Sequence, residues 1–191
     1  LDPTDQTIYA VDFTGQTRWS YSFERDHEPA LTQNTYLEID PLTETLVAST
    51  SGHGITRFDL DGTRECEWTF KTGIRGRQRG LLAYNGVLYI VTTWGLYRVD
   101  LETGEVTHLV EVGITSLALY DGDLLLSSGR YISRATPDEG DVLWEYTVPN
   151  DDFGGRLSTD YVGIAGQTAY VTVGDTLVAI DEETQTNLRI G

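Results

Sequence analysis

Along most of this chain apolar and polar residues alternate in short runs, and turns bearing Gly, Asn or Asp separate the runs. A period of two puts alternate side chains on opposite faces of an extended strand. No stretch shows a convincing helical period, so the pattern predicts an all-β chain. Asn85-Gly86 and Asp121-Gly122 are two-residue turn signals, because a type I′ turn needs positive φ at both central positions. They lie inside "LLAYNGVLYIVTT" and "LALYDGDLLLSS", which therefore read as hairpins.

A second kind of hairpin alternates with the first. "TIYAVDFTGQTRWSYSF", "GITRFDLDGTRECEWTF", "GLYRVDLETGEVTHLVEV", "YISRATPDEGDVLWEYTV" and "TLVAIDEETQTNLRI" share a short apolar strand, a polar turn and a second strand. Asp12, Asp59, Asp100 and Asp181 occupy one place in this pattern, and Thr136 fills it in the remaining copy. Each full repeat thus holds strands A to D in about 40 residues, the signature of a β-propeller of four-stranded antiparallel blades. Radial stacking buries both faces of sheets that would be marginal alone. The expected boundaries are a C–D strand pair over 7–23, then complete blades over 35–70, 80–112, 115–148 and 160–191 of one domain. The first blade lacks its A–B pair. A missing upstream segment of a larger propeller, an open arc, and closure by a partner's strands each satisfy that register; the first is the expectation. Trp19, Trp68 and Trp144 fall on outer strands, where a large ring fills the gap between blades.

"LYRVDLETGEV" and "IYAVDFTGQTRW" resemble the PQQ-like repeat, whose copies run from a Tyr-Ala-Leu-Asp strand through a Thr-Gly turn to Trp. The resemblance covers nearly the whole chain and is specific for fold rather than activity. The family holds quinoprotein alcohol dehydrogenases, assembly scaffolds similar to BamB, and archaeal proteins. The resemblance to the dehydrogenases would imply a quinone held over the axis by a vicinal disulfide, a stacked Trp and calcium. Cys66 is the single cysteine, so that disulfide is excluded and no quinone or other cofactor is expected. On a strand, Cys66 reads as a packed thiol.

Composition sharpens this picture. Asp and Glu number 30 against 13 Lys and Arg, giving a formal net charge of -17; Lys71 is the only lysine and Met is absent. Such a surface repels nucleic acid and anionic lipid, and repels itself unless salt screens it. It resembles the proteins of salt-in halophiles, an origin that would show as stability rising with molar KCl; an acidic surface steering a cationic partner is the other reading. No apolar run spans a bilayer, and the compartment stays open.

Against this acidity, "KTGIRGRQRG" gathers Arg75, Arg77 and Arg79. Strands reverse at each turn, so the long D–A and B–C connections share one end of the fold and the short A–B and C–D turns the other. The long-loop end collects Asp26, His27, Glu28, His53, the three arginines, Trp94, Arg130, Asp151, Asp152 and Arg156. Rigidly supported loops are where binding residues concentrate. The arginines either pair with carboxylates between blades or form an anion pocket beside Trp94 or His53. No nucleophile elbow, P-loop, EF-hand pattern or interpretable triad occurs, and no metal site is expected from the three histidines. The sequence therefore points to a non-catalytic scaffold that binds a protein or small anion through Arg75, Arg77, Arg79, Trp94, His53 and Arg130. A degenerate quinone-dependent enzyme and the sensor domain of a larger signalling protein are the alternatives.

Overall fold

The structure, a computed structural model, describes residues 7–22, 35–50, 54–61, 64–68, 74–148, 159–166, 168–173, 176–181 and 187–190. Every regular element among them is a strand: β1 (Thr7–Val11), β2 (Thr17–Ser22), β3 (Thr35–Asp40), β4 (Thr45–Thr50), β5 (Gly54–Asp59), β6 (Arg64–Trp68), β7 (Gln78–Tyr84), β8 (Val87–Thr92), β9 (Gly95–Asp100), β10 (Val106–Val110), β11 (Ser116–Tyr120), β12 (Asp123–Ser128), β13 (Tyr131–Ala135), β14 (Val142–Thr147), β15 (Thr159–Ala165), β16 (Thr168–Val173), β17 (Thr176–Asp181) and β18 (Asn187–Ile190). β1 and β2 form a two-stranded sheet, and β3–β6, β7–β10, β11–β14 and β15–β18 form four-stranded sheets in sequence order. The neighbours in the β1–β2, β3–β6, β11–β14 and β15–β18 sheets and the β9–β10 pair are antiparallel. This is the strand plan of β-propeller blades, with four complete sheets and one C–D pair.

The turns form where local chemistry demands them. Asn85 and Gly86 both have positive φ, as do Asp121 and Gly122, which matches the twist of the hairpins they close. The C–D turns rely on a different device. Asp12 Oδ1 accepts hydrogen bonds from the Thr14 amide at 2.8 Å, the Thr14 hydroxyl at 2.6 Å and the Gln16 amide at 3.0 Å. The Thr14 hydroxyl, then the Gln16 amide, hold the Asp12 carboxyl below its usual range. Asp100 Oδ1 accepts from the Glu102 and Thr103 amides and the Thr103 hydroxyl. In the copy without Asp, Thr136 Oγ1 accepts the Asp141 amide at 3.0 Å.

The chain packs as two compact units. The first holds residues 1–74 with 83–88 and 100–104, the last two being turn-end pieces of the third sheet. Its core joins Ile8, Ala48 and Phe58, flanked by Trp19, Tyr21 and Leu46. Tyr21 meets the Phe58 ring edge-on at 4.8 Å, Trp19 stacks at 6.2 Å, and Trp19 Nε1 donates to the Leu60 carbonyl at 3.0 Å. Each fully buried ring or branched side chain of this kind contributes about 1.5–3 kcal/mol. Asp40 is fully buried, its two oxygens accepting the amides of Leu42 and Gly86 at 3.0 and 2.9 Å. Arg57 donates from Nη1 to the Leu101 carbonyl at 2.8 Å.

The second unit holds residues 75–82, 89–99 and 105–191. Leu125, Ile132, Val148, Ala169, Val171, Val178 and Ile180 form its core, with Trp144, Tyr146, Val162 and Ile164 packed around them. Trp144 Nε1 is enclosed without a described acceptor. Tyr89 donates its hydroxyl to the Pro137 carbonyl, and Ser116 Oγ accepts the Val162 amide, each bond joining neighbouring sheets. Trp68 ends β6, and its side chain lies outside the described residues, as does that of Cys66.

Candidate functional site

The arginine-rich stretch and the turn carrying Trp94 meet in the second unit. Arg77 and Thr93 exchange two bonds: the Arg77 amide donates to Thr93 Oγ1 at 3.0 Å, and the Thr93 amide donates to the Arg77 carbonyl at 2.9 Å. The Arg75 amide donates to the Tyr97 hydroxyl at 3.1 Å. Between them Gly76 adopts φ +89°, and a Cβ there would stand 2.6 Å from Trp94 Cδ1 and 2.7 Å from Thr93 Oγ1. Only a residue without a side chain lets the loop lie this close to the indole.

The turn that receives the loop is rigid in its own right. Thr92 is fully buried, and its Oγ1 accepts the amides of Trp94 and Gly95 at 3.0 and 3.1 Å while donating to the Gly95 carbonyl. Beneath it the Tyr97 ring is buried and stacks on His108 at 4.3 Å, almost parallel. Their residues are direct partners across β9 and β10. His108 Nδ1 lies 4.0 Å from Glu111 Oε1, an ion pair when the ring is protonated. His108 therefore supports the loop anchor through Tyr97.

Above this support the functional groups face solvent. Arg75, Arg77 and Arg79 are exposed, and Trp94 is 59% exposed. β7 begins at Gln78, two residues before its expected start, so Arg79 belongs to a strand rather than a loop. Gln78 points into the core, and the alternation leaves Arg77 and Arg79 on the opposite side together. Among the described residues, no carboxylate lies within ion-pair distance of Arg75 or Arg79, whereas Arg134 pairs with Asp123 (2.7 Å) and Arg98 with Asp138 (3.9 Å). Arg134 also lies 5.0 Å over the Tyr120 ring.

The same end continues through neighbouring connections. A Cβ on Gly113 would meet the Thr93 carbonyl at 2.7 Å, and Gly113 accepts the Ser128 hydroxyl at 2.8 Å. Thr115 donates to the Ser127 carbonyl, and the Arg130 carbonyl accepts the Val148 amide at 2.9 Å. Arg130 is half-buried, its Nε enclosed without a described acceptor. So the structure brings Arg75, Arg77, Trp94 and the turn that carries Arg130 to one end of this unit. His53 lies outside the described residues, as do Asp26, His27, Glu28, Asp151, Asp152 and Arg156.

Thr93, Tyr97 and Gly76 carry this site and escaped the sequence reading. Their signal was weak: a Thr-Thr-Trp-Gly turn and a Gly between two arginines. Exposed Phe13, Leu42 and Leu60 were missed as well. They stand in short turns of the first unit, where an apolar residue amid polar neighbours was the available clue. Chemically, the second unit's surface offers guanidinium forks for carboxylates and an indole face for an apolar or aromatic group.

No protein-family model matches the chain, and no curated relative matches it. Solved structures are similar in fold. BamB from Moraxella catarrhalis superposes with TM-score 0.65 at 16% identity, over 91% of this chain and 52% of that one. PorZ, an essential surface component of the type-IX secretion system of Porphyromonas gingivalis, gives 0.71 at 15% identity, over 97% of this chain and 26% of that one. The Swd1 β-propeller domain of Myceliophteria thermophila gives 0.68 at 13% identity, over 96% and 62%. The chain thus spans about half of the BamB structure and about a quarter of PorZ, and shares the β-propeller fold with them.

Proposed function

We propose that this chain is a non-catalytic propeller module that binds an acidic segment of a protein partner through Arg75, Arg77, Arg79 and Trp94. One observation carries the reading: the loop is fixed by two hydrogen bonds to Thr93 of the Trp94 turn and one to Tyr97 of β9, while its arginines and the indole stay exposed. Preorganised groups lose little entropy on binding, and Arg and Trp dominate interface energetics. A cationic patch on a chain of net charge -17 is also a local exception that selects for a negative partner. Propeller scaffolds among the similar structures support the protein-binding part. The module uses no cofactor and no metal.

The test is the double charge reversal Arg77→Glu/Arg79→Glu, read by fluorescence anisotropy of a labelled octaglutamate peptide bearing one Trp. Binding should weaken at least tenfold while the melting temperature stays within a degree or two. Unchanged anisotropy with a clear loss of thermal stability would assign the arginines to structure instead.

A further inference from the structure

We infer, taking the function proposed above as the premise, that the arginine end of the second unit selects its partner by apolar side chains as well as by charge. The acidic segment it takes then carries aromatic or aliphatic residues among its carboxylates. Among the described residues of the second unit, the exposed large apolar side chains are Trp94, Val112, Tyr131, Val142 and Leu143. Val142 and Leu143 open β14, after a short turn. The other three share the long-loop end: Trp94 on the β8–β9 turn, Val112 between β10 and β11, and Tyr131 as the first residue of β13. Val112 is 55% exposed and Tyr131 42%. Single apolar residues are ordinary on a protein surface, whereas neighbouring ones mark interaction sites.

Backbone contacts make these three neighbours. A Cβ on Gly113 would stand 2.7 Å from the Thr93 carbonyl oxygen, so Trp94 and Val112 each adjoin a point where two connections touch. Ser128 Oγ donates to the Gly113 carbonyl at 2.8 Å, and Ser128 is the cross-strand partner of Tyr131. Cross-strand partners direct their side chains to one face, so Tyr131 stands on the side from which Ser128 reaches Gly113. Beneath Val112 the connection is seated by buried Ile114 and by the Thr115 amide, which donates to the Ser127 carbonyl at 2.8 Å. An apolar track from Trp94 through Val112 to Tyr131 is therefore held in place before a partner arrives, which keeps the entropic cost of binding low.

The charges beside the track are mostly of one sign. Along 74–79, 93–94, 111–115 and 129–131 the cations are Arg75, Arg77, Arg79 and Arg130, and the carboxylate is Glu111, 4.0 Å from His108 Nδ1. Arg130 immediately precedes Tyr131 and is half-buried, so water screens it less than a free side chain. A purely acidic segment would leave the track wet, and a purely apolar one would gain nothing from the arginines. A segment that mixes the two uses both, joining charge complementarity to aromatic and aliphatic anchors. An anionic membrane also combines these chemistries, but the net charge of -17 opposes approach to an extended negative plane, while a short segment meets mainly the local arginines.

Two labelled peptides separate apolar contact from charge: octaglutamate interrupted by Phe and Leu, and the same peptide with Ser in the interrupting places. Read by fluorescence anisotropy, the apolar-bearing peptide should bind the chain about tenfold more tightly than the Ser peptide. It should also slow hydrogen exchange at 111–113 and 129–131, where the Ser peptide leaves exchange unchanged. Val112→Ser/Tyr131→Ser should bring the two affinities to within about twofold of each other. Should that variant fail to fold, Val112→Ser alone carries the test, because Val112 faces solvent on a loop, and it should narrow the gap in the same direction. Equal affinity of the unaltered chain for both peptides overturns the inference and leaves the proposed function standing, as does a preference that the variants keep in full. If neither peptide binds, both readings fall; vesicles of phosphatidylglycerol that then sediment the chain would make a membrane the partner.

Discussion

Asp12, Asp100 and Thr136 occupy one place in the repeat and close the same turn with two chemistries. A carboxylate oxygen gathers three donors in the Asp copies, whereas the Thr136 hydroxyl accepts the single Asp141 amide. Glu38 shows the opposite electrostatic situation. It is half-buried on β3, and desolvation raises its carboxyl above the ordinary value of 4.5. A raised carboxyl means the folded chain holds its proton more tightly than the unfolded chain. Its favourable contribution is then complete below the unfolded value and is lost as pH rises through the folded one. Glu38→Gln should therefore raise the melting temperature at pH 7, and the gain should shrink to nothing near pH 4. Thermal melts at the two pH values check this; an equal gain at both, or a loss at pH 7, would count against burial as the cause.

At the scale of elements, the loop 74–77 and the turn 92–95 behave as one piece, since each supplies the other's backbone partners. Gly76→Ala tests that coupling. The new methyl meets Trp94 and Thr93, and its backbone must hold a positive φ, so a cost of about 1–3 kcal/mol is expected. Melting and Trp emission would report it, and octaglutamate affinity should fall in step; a variant with unchanged emission and affinity would separate the loop from the turn. Strand positions and turn types were legible in the sequence, because alternation and Asn-Gly or Asp-Gly turns are local signals. The shared end of Arg77 and Trp94 was legible too, since strand reversal alone sends both connections the same way. Exposure was not. Leu37 and Ile39 carry the same pattern as Val162 and Ile164, yet the first two are exposed and the last two pack on a core cluster, because what covers a side chain lies far off in the sequence. Arg79 was read as a loop residue because polar Gln78 hid the inward position that starts β7. The Tyr97–His108 stack depends on the pairing register of two strands, which no single stretch encodes.

For the whole molecule, net charge and local charge act at different ranges. The excess of carboxylates sets a long-range negative field that salt screens over about 10 Å at 0.1 M. The proposed binding at the arginine loop would depend on groups in contact, which salt screens less than charges farther apart. The proposed function commits to a place: a negative partner should land on the long-loop end of the second unit. Hydrogen exchange read by mass spectrometry, on the chain with and without saturating octaglutamate peptide, locates that contact directly. The account expects slowed exchange in 74–79 and 92–95 with the short turns at 101–104 and 136–141 unchanged. Protection confined to those short turns, or none within 74–79, would contradict it.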